Sequence, residues 1–453
     1  MNAQEGKFLQ MTQPPVPKLI RRLALPCIIS MLVTSIYNMA DTYFVGLMDN
    51  SSASAAVGVV FSMMAIIQAI GFFFGHGSGN YISRELGKKN YDEASCMAAT
   101  GFYSALLTGF VICIAGNLLL DPLAYLLGST KTILPFTRDY LRVILLGAPW
   151  MTASLVLNNQ LRYQGSASYA MVGIVSGAVL NIALDPLLIF GLNLGVAGAG
   201  WATIISQFLS FCLLYIGCRR GGNLRIRLSL FRFKLSYYKS IIQGGLPSLA
   251  RQCLAAIATM CLSHAAGKYS DSAIAALGIV QRIMMFGASA MIGFGQGFQP
   301  VCGFNYGARL HQRVLDGFWY CIRVSAIFLT CASVAMIVFS KQIIGLFQSD
   351  SEVIRCGAMA LQFQCLTFPA QSWIIMSNMM EQSIGRTLPA TFLSAARQGI
   401  FFIPMLFLLE GTIGLTGLLM TQAASDLLTL LCAIPIHIYV LKSVKKEQKN
   451  LPQ

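Results

Sequence analysis

The sequence predicts an all-α, polytopic membrane fold, with about twelve spans in two pseudo-symmetric six-helix lobes related as parallel repeats. Three observations predict it. The 453 residues are 56% hydrophobic and only 11% charged, against roughly 25% charged in soluble globular chains. Apolar runs of about 20 residues recur from end to end, which is the length that crosses a hydrocarbon core as a helix. The second half also overlays on the first at a shift of about 220 residues.

Backbone groups in lipid must be satisfied within the segment, so the runs are expected to be helices; a barrel would need strands alternating with period two. Spans are expected at 23–46, 55–78, 94–118, 137–160, 167–190, 196–217, 240–265, 273–301, 317–340, 357–380, 388–409 and 413–440. Met1 to Pro17 is polar and lacks the apolar core of a cleaved signal.

The net charge of +15 divides unevenly across these spans. One side carries Lys7, Lys18, Arg21, Arg22, Arg84, Lys88, Lys89, Arg162, the loop from Arg219 to Lys239, Arg309, Arg313, Arg386 and four lysines after Val440. The other side carries only Lys131, Arg138, Lys268, Lys341 and Arg355. Such asymmetry places both termini in the cytoplasm with an even number of spans, in the cytoplasmic membrane. The charge then serves orientation and headgroup affinity. No basic domain stands apart from the membrane, so a nucleic-acid partner is not expected.

The repeat organises the domains. "LPCI" at Leu25 meets "LPSL" at Leu246, and "AAVG" at Ala55 meets "AALG" at Ala275. "GHGSGNYISRELG" from Gly75 meets "GQGFQPVCGFNYG" from Gly295, and Pro149, Asn158 and Gly165 meet Pro369, Asn378 and Gly385. An N-lobe over 1–218, a basic cytoplasmic linker over 219–239 and a C-lobe over 240–453 follow, with a cleft between lobes where a transporter would bind its cargo. Interior prolines (Pro26, Pro149, Pro247, Pro369, Pro404, Pro435) are bend points. The 13 cysteines lie mostly within apolar runs, as at Cys113, Cys261, Cys331 and Cys432. No CxxC occurs, and His76, His264, His311 and His437 are far apart. No metal or redox cofactor is expected.

Two carboxylates interrupt apolar runs: Asp41 in "SIYNMADTYFVG" and Asp185 in "VLNIALDPLLIFG". Counted from the cytoplasmic entry of each helix, at ~1.5 Å per residue, they reach similar depth in the outer half. Each has a polar neighbour one turn earlier, Tyr37 and Asn181, and Thr203 on the next span reaches a similar level. An intramembrane acid costs roughly 2.5–3.5 kcal/mol at a helix centre and normally faces a cavity or a partner. Two such acids in low dielectric cannot both ionise cheaply, so the pair can hold a proton and sense a gradient. A purely structural ion pair, hydrogen bond or helix cap is the other reading. Interior Arg142, Arg251, Arg282, Arg323 and Arg397 could neutralise acids, the last four most readily Asp426 and Glu381, or supply cavity polarity.

At these motifs the chain resembles the multidrug and toxic compound extrusion (MATE) family, nearly from Leu23 to Lys442. "NMADTYFVG" resembles the family's first-helix Asp-Thr motif and "GHGSGNYISRELGKKNYDEA" its second-to-third helix junction. "LNIALDPLLIFGLNLGVAGAGWAT" is similar to the branch holding the DinF and MepA exporters. The resemblance implies two six-helix lobes around a V-shaped cavity and export of organic cations, drugs or other amphipathic compounds in exchange for H⁺ or Na⁺. It implies coupling at Asp41 and Asp185, where either ion fits, with a helix bend at Pro26 and a polar network of Tyr37, Asn181, Thr203 and Asn158. Carboxylates of a NorM-like second-lobe site are missing: the seventh span has Arg251, and the tenth has Gln371 in mid-span.

Gln281, Arg282, Met284 and Gln371 are candidates for the substrate cavity, and Met63, Met64, Met171, Met260 and Met291 could add adaptable contacts. Partners are the bilayer and amphipathic or cationic small molecules. No nucleotide-binding domain or ATPase subunit is implied, and a monomer is expected. A lipid-linked oligosaccharide flippase, which needs a strongly cationic cavity, is the alternative. A polytopic membrane enzyme is the remote one, because no nucleophile–base set lies at common depth. Glycine-rich "GFFFGHGSG" and "GFGQG" lack the lysine and strand of a phosphate loop and suit close helix packing.

Overall fold

The computed structural model describes residues 3–48 and 51–449, and among them only helices and connecting turns occur. The N-lobe comprises α1 (Ala3–Thr12), α2 (Val16–Gly46), α3 (Ser51–Gly87), α4 (Tyr91–Leu118), α5 (Leu120–Leu126), α6 (Leu134–Tyr163), α7 (Ala167–Pro186) and α8 (Gly195–Cys218). The C-lobe comprises α9 (Leu235–Gly267), α10 (Asp271–Gly307), α11 (His311–Val338), α12 (Ser340–Gly345), α13 (Ser351–Thr367), α14 (Ala370–Ile384), α15 (Thr387–Ala395), α16 (Phe402–Ile413) and α17 (Leu415–Lys449). The chain thus crosses a membrane many times, in two lobes.

Eleven segments among the described residues are long and apolar enough to span a bilayer. The expected span over 357–380 is split instead. Helix α13 ends at Thr367 and α14 begins at Ala370, because Pro369 removes a backbone donor and blocks a continuous helix. Counted together, these two pieces complete twelve. Helix α9 begins at Leu235, so the last residues expected in the linker are already helical.

The lobes meet where glycines let backbones touch. A Cβ on Gly77 would lie 2.3 Å from the Ile241 carbonyl, and one on Gly297 would lie 2.4 Å from Ala24 Cα. The end of α3 thus packs on the start of α9, and the end of α10 on the start of α2. Gly87 and Gly307 are reciprocal: added Cβ atoms would meet the Phe304 and Arg84 carbonyls, each at 2.1 Å. All these contacts lie towards the end of the molecule that bears both termini. Further along, the Ser35 and Ser289 hydroxyls still pair at 2.8 Å. Beyond that point Met39, Tyr43 and Met285 are 47%, 63% and 57% exposed. The lobes are closed at the terminal end and part towards the other.

Helix α1 adds a clasp across the closed end. Lys7 Nζ donates to Asn223 Oδ1 of the linker, and Lys89 Nζ of the N-lobe lies 4.6 Å from the centre of the Phe8 ring. Phe8 packs on Phe304 of the C-lobe at 6.1 Å, and Asn305 Nδ2 donates to the Met11 carbonyl at 3.2 Å.

Any side chain at Gly87 must push backbone aside, since the atom it meets is a carbonyl. In a cysteine-free background, Gly87→Leu is expected to make a thiol at position 83 label several-fold faster with a bulky maleimide. Ser83 in the parent donates to the Pro300 carbonyl within the seam. Unchanged labelling would show that this contact does not hold the lobes together.

Candidate functional site

Helices α2 and α7 pack against each other, which brings Asp41 and Asp185 within electrostatic reach. Tyr37 feels both acids, and so does Tyr140 on α6, whose hydroxyl lies beside Thr203. Asp185 is fully buried, and both its carboxylate oxygens lack a hydrogen-bond partner. Asp41 Oδ1 and both amide atoms of Asn181 share that condition. Buried polar atoms are normally satisfied, so this concentration of orphaned acceptors sets the site apart.

A cavity of about 90 Å³ opens beside these groups, lined in part by Tyr37, Asn158, Asn181, Thr203, Arg162 and Ser206. Asn158 serves the packing as well. Its Nδ2 donates to the Ala170 carbonyl at 3.2 Å, and its repeat mate Asn378 donates to the Ala390 carbonyl at 2.5 Å. The same bond at the same offset ties α6 to α7 in one lobe and α14 to α15 in the other. Pro26 is buried within a helix unbroken from Val16 to Gly46. It lies between Ala24 and Ile28, which both press on glycines of α10, so a bend there would act at the lobe seam.

The C-lobe holds a larger cavity of about 380 Å³. Gln281, Met284 and Gln371 line it, together with Arg251, Arg397 and Met285. Asp426 sits behind this wall. It accepts from Arg397 Nε at 2.8 Å, Gln371 Nε2 at 2.9 Å and Gln422 Nε2 at 2.9 Å.

Several expectations are corrected here. Arg282 is exposed and does not line the cavity, and Arg142 and Arg323 are exposed as well. The strongly cationic cavity that a flippase would need is therefore reduced to Arg251 and Arg397. Glu381 pairs with no arginine; its Oε1 lies 3.1 Å from His437 Nδ1, both side chains being wholly buried. Met260 is 71% exposed and Met63, Met64 and Met291 are packed in the core, while Met31 and Met151 line the N-lobe cavity.

Arg162, expected as a loop charge, is buried at the end of α6. Its Nη2 donates to Asn159 Oδ1 at 2.5 Å and approaches His76 Nε2 at 3.3 Å. His76 Nδ1 meets Ser248 Oγ across the seam at 2.6 Å, and Gln382 Nε2 donates to that same hydroxyl at 2.9 Å. The sequence carried no spacing signal for this relay, whose members come from four helices. Tyr140 and the π-turns at Leu187–Gly191 and Ala396–Ile400 were likewise unforeseen. Each turn adjoins a charged group, Asp185 in one lobe and Arg397 in the other, as π-turns often do at functional positions.

The family model described as MatE matches residues 26–187 and again residues 247–408, so each copy begins at the interior proline of a lobe's first span. The chain belongs to the MatE family. Among its relatives, the multidrug export protein MepA of Staphylococcus aureus (strain NCTC 8325 / PS 47) is 28% identical over 431 residues, covering 94% of each chain. MepA of Staphylococcus haemolyticus (strain JCSC1435) is 28% identical over 429 residues, with the same coverage. An outward-facing multidrug resistance MATE family transporter of the MOP superfamily superimposes with a TM-score of 0.91 at 26% identity, covering 97% of this chain and 98% of that one. As a MatE member the chain is a transporter and not an enzyme.

Within this MatE fold the Arg397–Asp426 pair, with its carboxylate buried and its guanidinium partly open to the cavity, is expected to matter structurally. Removing one partner of a fully buried pair costs about 3–5 kcal/mol and exposed pairs contribute about 0–1 kcal/mol, so this pair falls between the two. Asp426→Ala should therefore destabilise the detergent-solubilised protein far more than Asp121→Ala, which breaks the exposed Arg138–Asp121 pair. Equal unfolding midpoints would remove Asp426 from the structural account.

Proposed function

We propose that this chain exports amphipathic solutes, organic cations and drugs among them, across the cytoplasmic membrane in exchange for protons. Both termini lie in the cytoplasm, and the lobes alternate between the arrangement closed at the terminal end and its converse. The observation that carries the reading is the acid pair of the N-lobe. Asp41 and Asp185 lie within reach of one another, and neither has a cationic partner among the described residues. Carboxylates so placed need a counter-cation or a proton. Their orphaned oxygens, with Asn181 Oδ1, form a donor set that sodium could also use. A proton on each acid neutralises the pair, whereas a single sodium ion leaves one negative charge in low dielectric that a proton must still cancel. The proton is therefore the expected ion.

Coupling follows from position. Tyr37 and Asn181 line the cavity while feeling or adjoining the acids. Loading the acids thus alters the cavity wall, and α2 carries that change towards the seam around Pro26. Relatives named as multidrug export proteins support the same direction of transport.

Asp41→Asn should abolish pH-gradient-driven uptake of a cationic dye into everted vesicles, which corresponds to export from the cell, while dye binding to the purified protein survives, and Asp185→Asn should lower that transport strongly. Undiminished export by Asp41→Asn would take this residue out of the mechanism. Replacing the proton gradient with a sodium gradient decides the ion: export driven by sodium alone would overturn the proton assignment.

A further inference from the structure

The C-lobe cavity has a charge pattern that cation export does not require. Arg251 lines it and makes no hydrogen bond to any described residue. Two further guanidiniums, Arg162 and Arg397, lie within its electrostatic reach. The carboxylate touching this wall, Asp426, is already engaged by Arg397, Gln371 and Gln422. Among the described residues, no Asp or Glu lines the cavity itself. Around Arg251 the wall is neutral, polar and adaptable, with Gln252, Gln281 and Gln398, while Phe368 and Leu418 give it an apolar side.

A guanidinium inside a bilayer faces a cavity or a partner, and its planar fork matches a carboxylate, sulfonate or phosphate. We infer that the C-lobe cavity is a binding site for the anionic group of an amphipathic molecule, with Arg251 as its anchor and the apolar wall holding the body. The inference rests on the transporter reading and extends its cargo to zwitterions and organic anions. It also divides labour between lobes: the N-lobe acids carry the coupling ion, and the C-lobe reads cargo charge. A dissolved solute and a lipid headgroup entering from the bilayer present the same anionic chemistry to this site.

Equilibrium binding tests this without any ion gradient, so it stands or falls apart from the export assay. The protein in phosphatidylcholine nanodiscs would be titrated with coumarin-3-carboxylate and with its neutral ethyl ester. The parent should prefer the acid, and Arg251→Gln should weaken acid binding by about tenfold or more, as loss of a charged hydrogen bond does, while leaving the ester within about twofold. Arg251→Lys should retain part of the preference, and Arg282→Gln, outside the cavity, should retain all of it. Adding phosphatidylglycerol distinguishes the sources: competition lost in Arg251→Gln assigns the headgroup to the same arginine, and no competition assigns the site to dissolved anions. Equal affinity of the parent for acid and ester, or an equal loss of both in Arg251→Gln, would overturn the proposal.

Discussion

A carboxylate withdrawn from water cannot remain charged and alone, and the N-lobe is arranged around that constraint. Asp185 is buried, with both oxygens unpartnered, on a helix packed against the one that carries Asp41. A soluble protein would answer such a burden with an arginine, as the C-lobe does at Asp426. Among the described residues, the neighbours that the N-lobe places beside the acids are neutral: Tyr37, Tyr140, Asn181 and Thr203. In the proposed exchange, such a site is neutralised by a proton that comes and goes. The contrast between the lobes is chemical, since their helices are laid out alike.

That likeness comes from backbone contact. Gly87 and Gly307 each press on the partner helix's carbonyl at the same place in its own repeat. Alanine at either position would hold the lobes apart, so the seam tolerates little change in shape and favours discrete arrangements. Polar links then register the closed end. Ser248 receives His76 from one lobe and Gln382 from the other, and α1 reaches both lobes from outside. Pro26 sits inside this zone, on the helix that also carries Asp41. The helix therefore runs from the acid pair to the lobe seam without a break.

Much of this was legible in the sequence because the signals are local or periodic. Apolar run length gave the spans, and glycines and prolines repeating at one offset gave the two lobes, since close packing admits few other residues. Asp41 and Asp185 stood out because lipid-length runs seldom contain an acid. Tertiary pairing was not legible. Glu381 meets His437 rather than an arginine, because α14 and α17 are juxtaposed only in the fold. Arg162 looked like a loop charge but turns inwards to His76. Arg282 and Met260 read as cavity residues, yet neither lines the C-lobe cavity, since periodicity in a helix hydrophobic on all sides does not say which face meets the cleft. The break at Pro369 was marked as a bend but not as an interruption.

The central claim is that the N-lobe acids bind and release protons as the protein works. Difference infrared spectroscopy of the purified protein in lipid, recorded between acidic and alkaline buffer, observes protonated carboxyl groups directly. A carbonyl band of a buried carboxylic acid should appear on acidification in the parent, shift or shrink in Asp41→Asn and in Asp185→Asn, and vanish when both are replaced. A band that persists unchanged in the double variant, or none in the parent across the working pH range, would contradict the account.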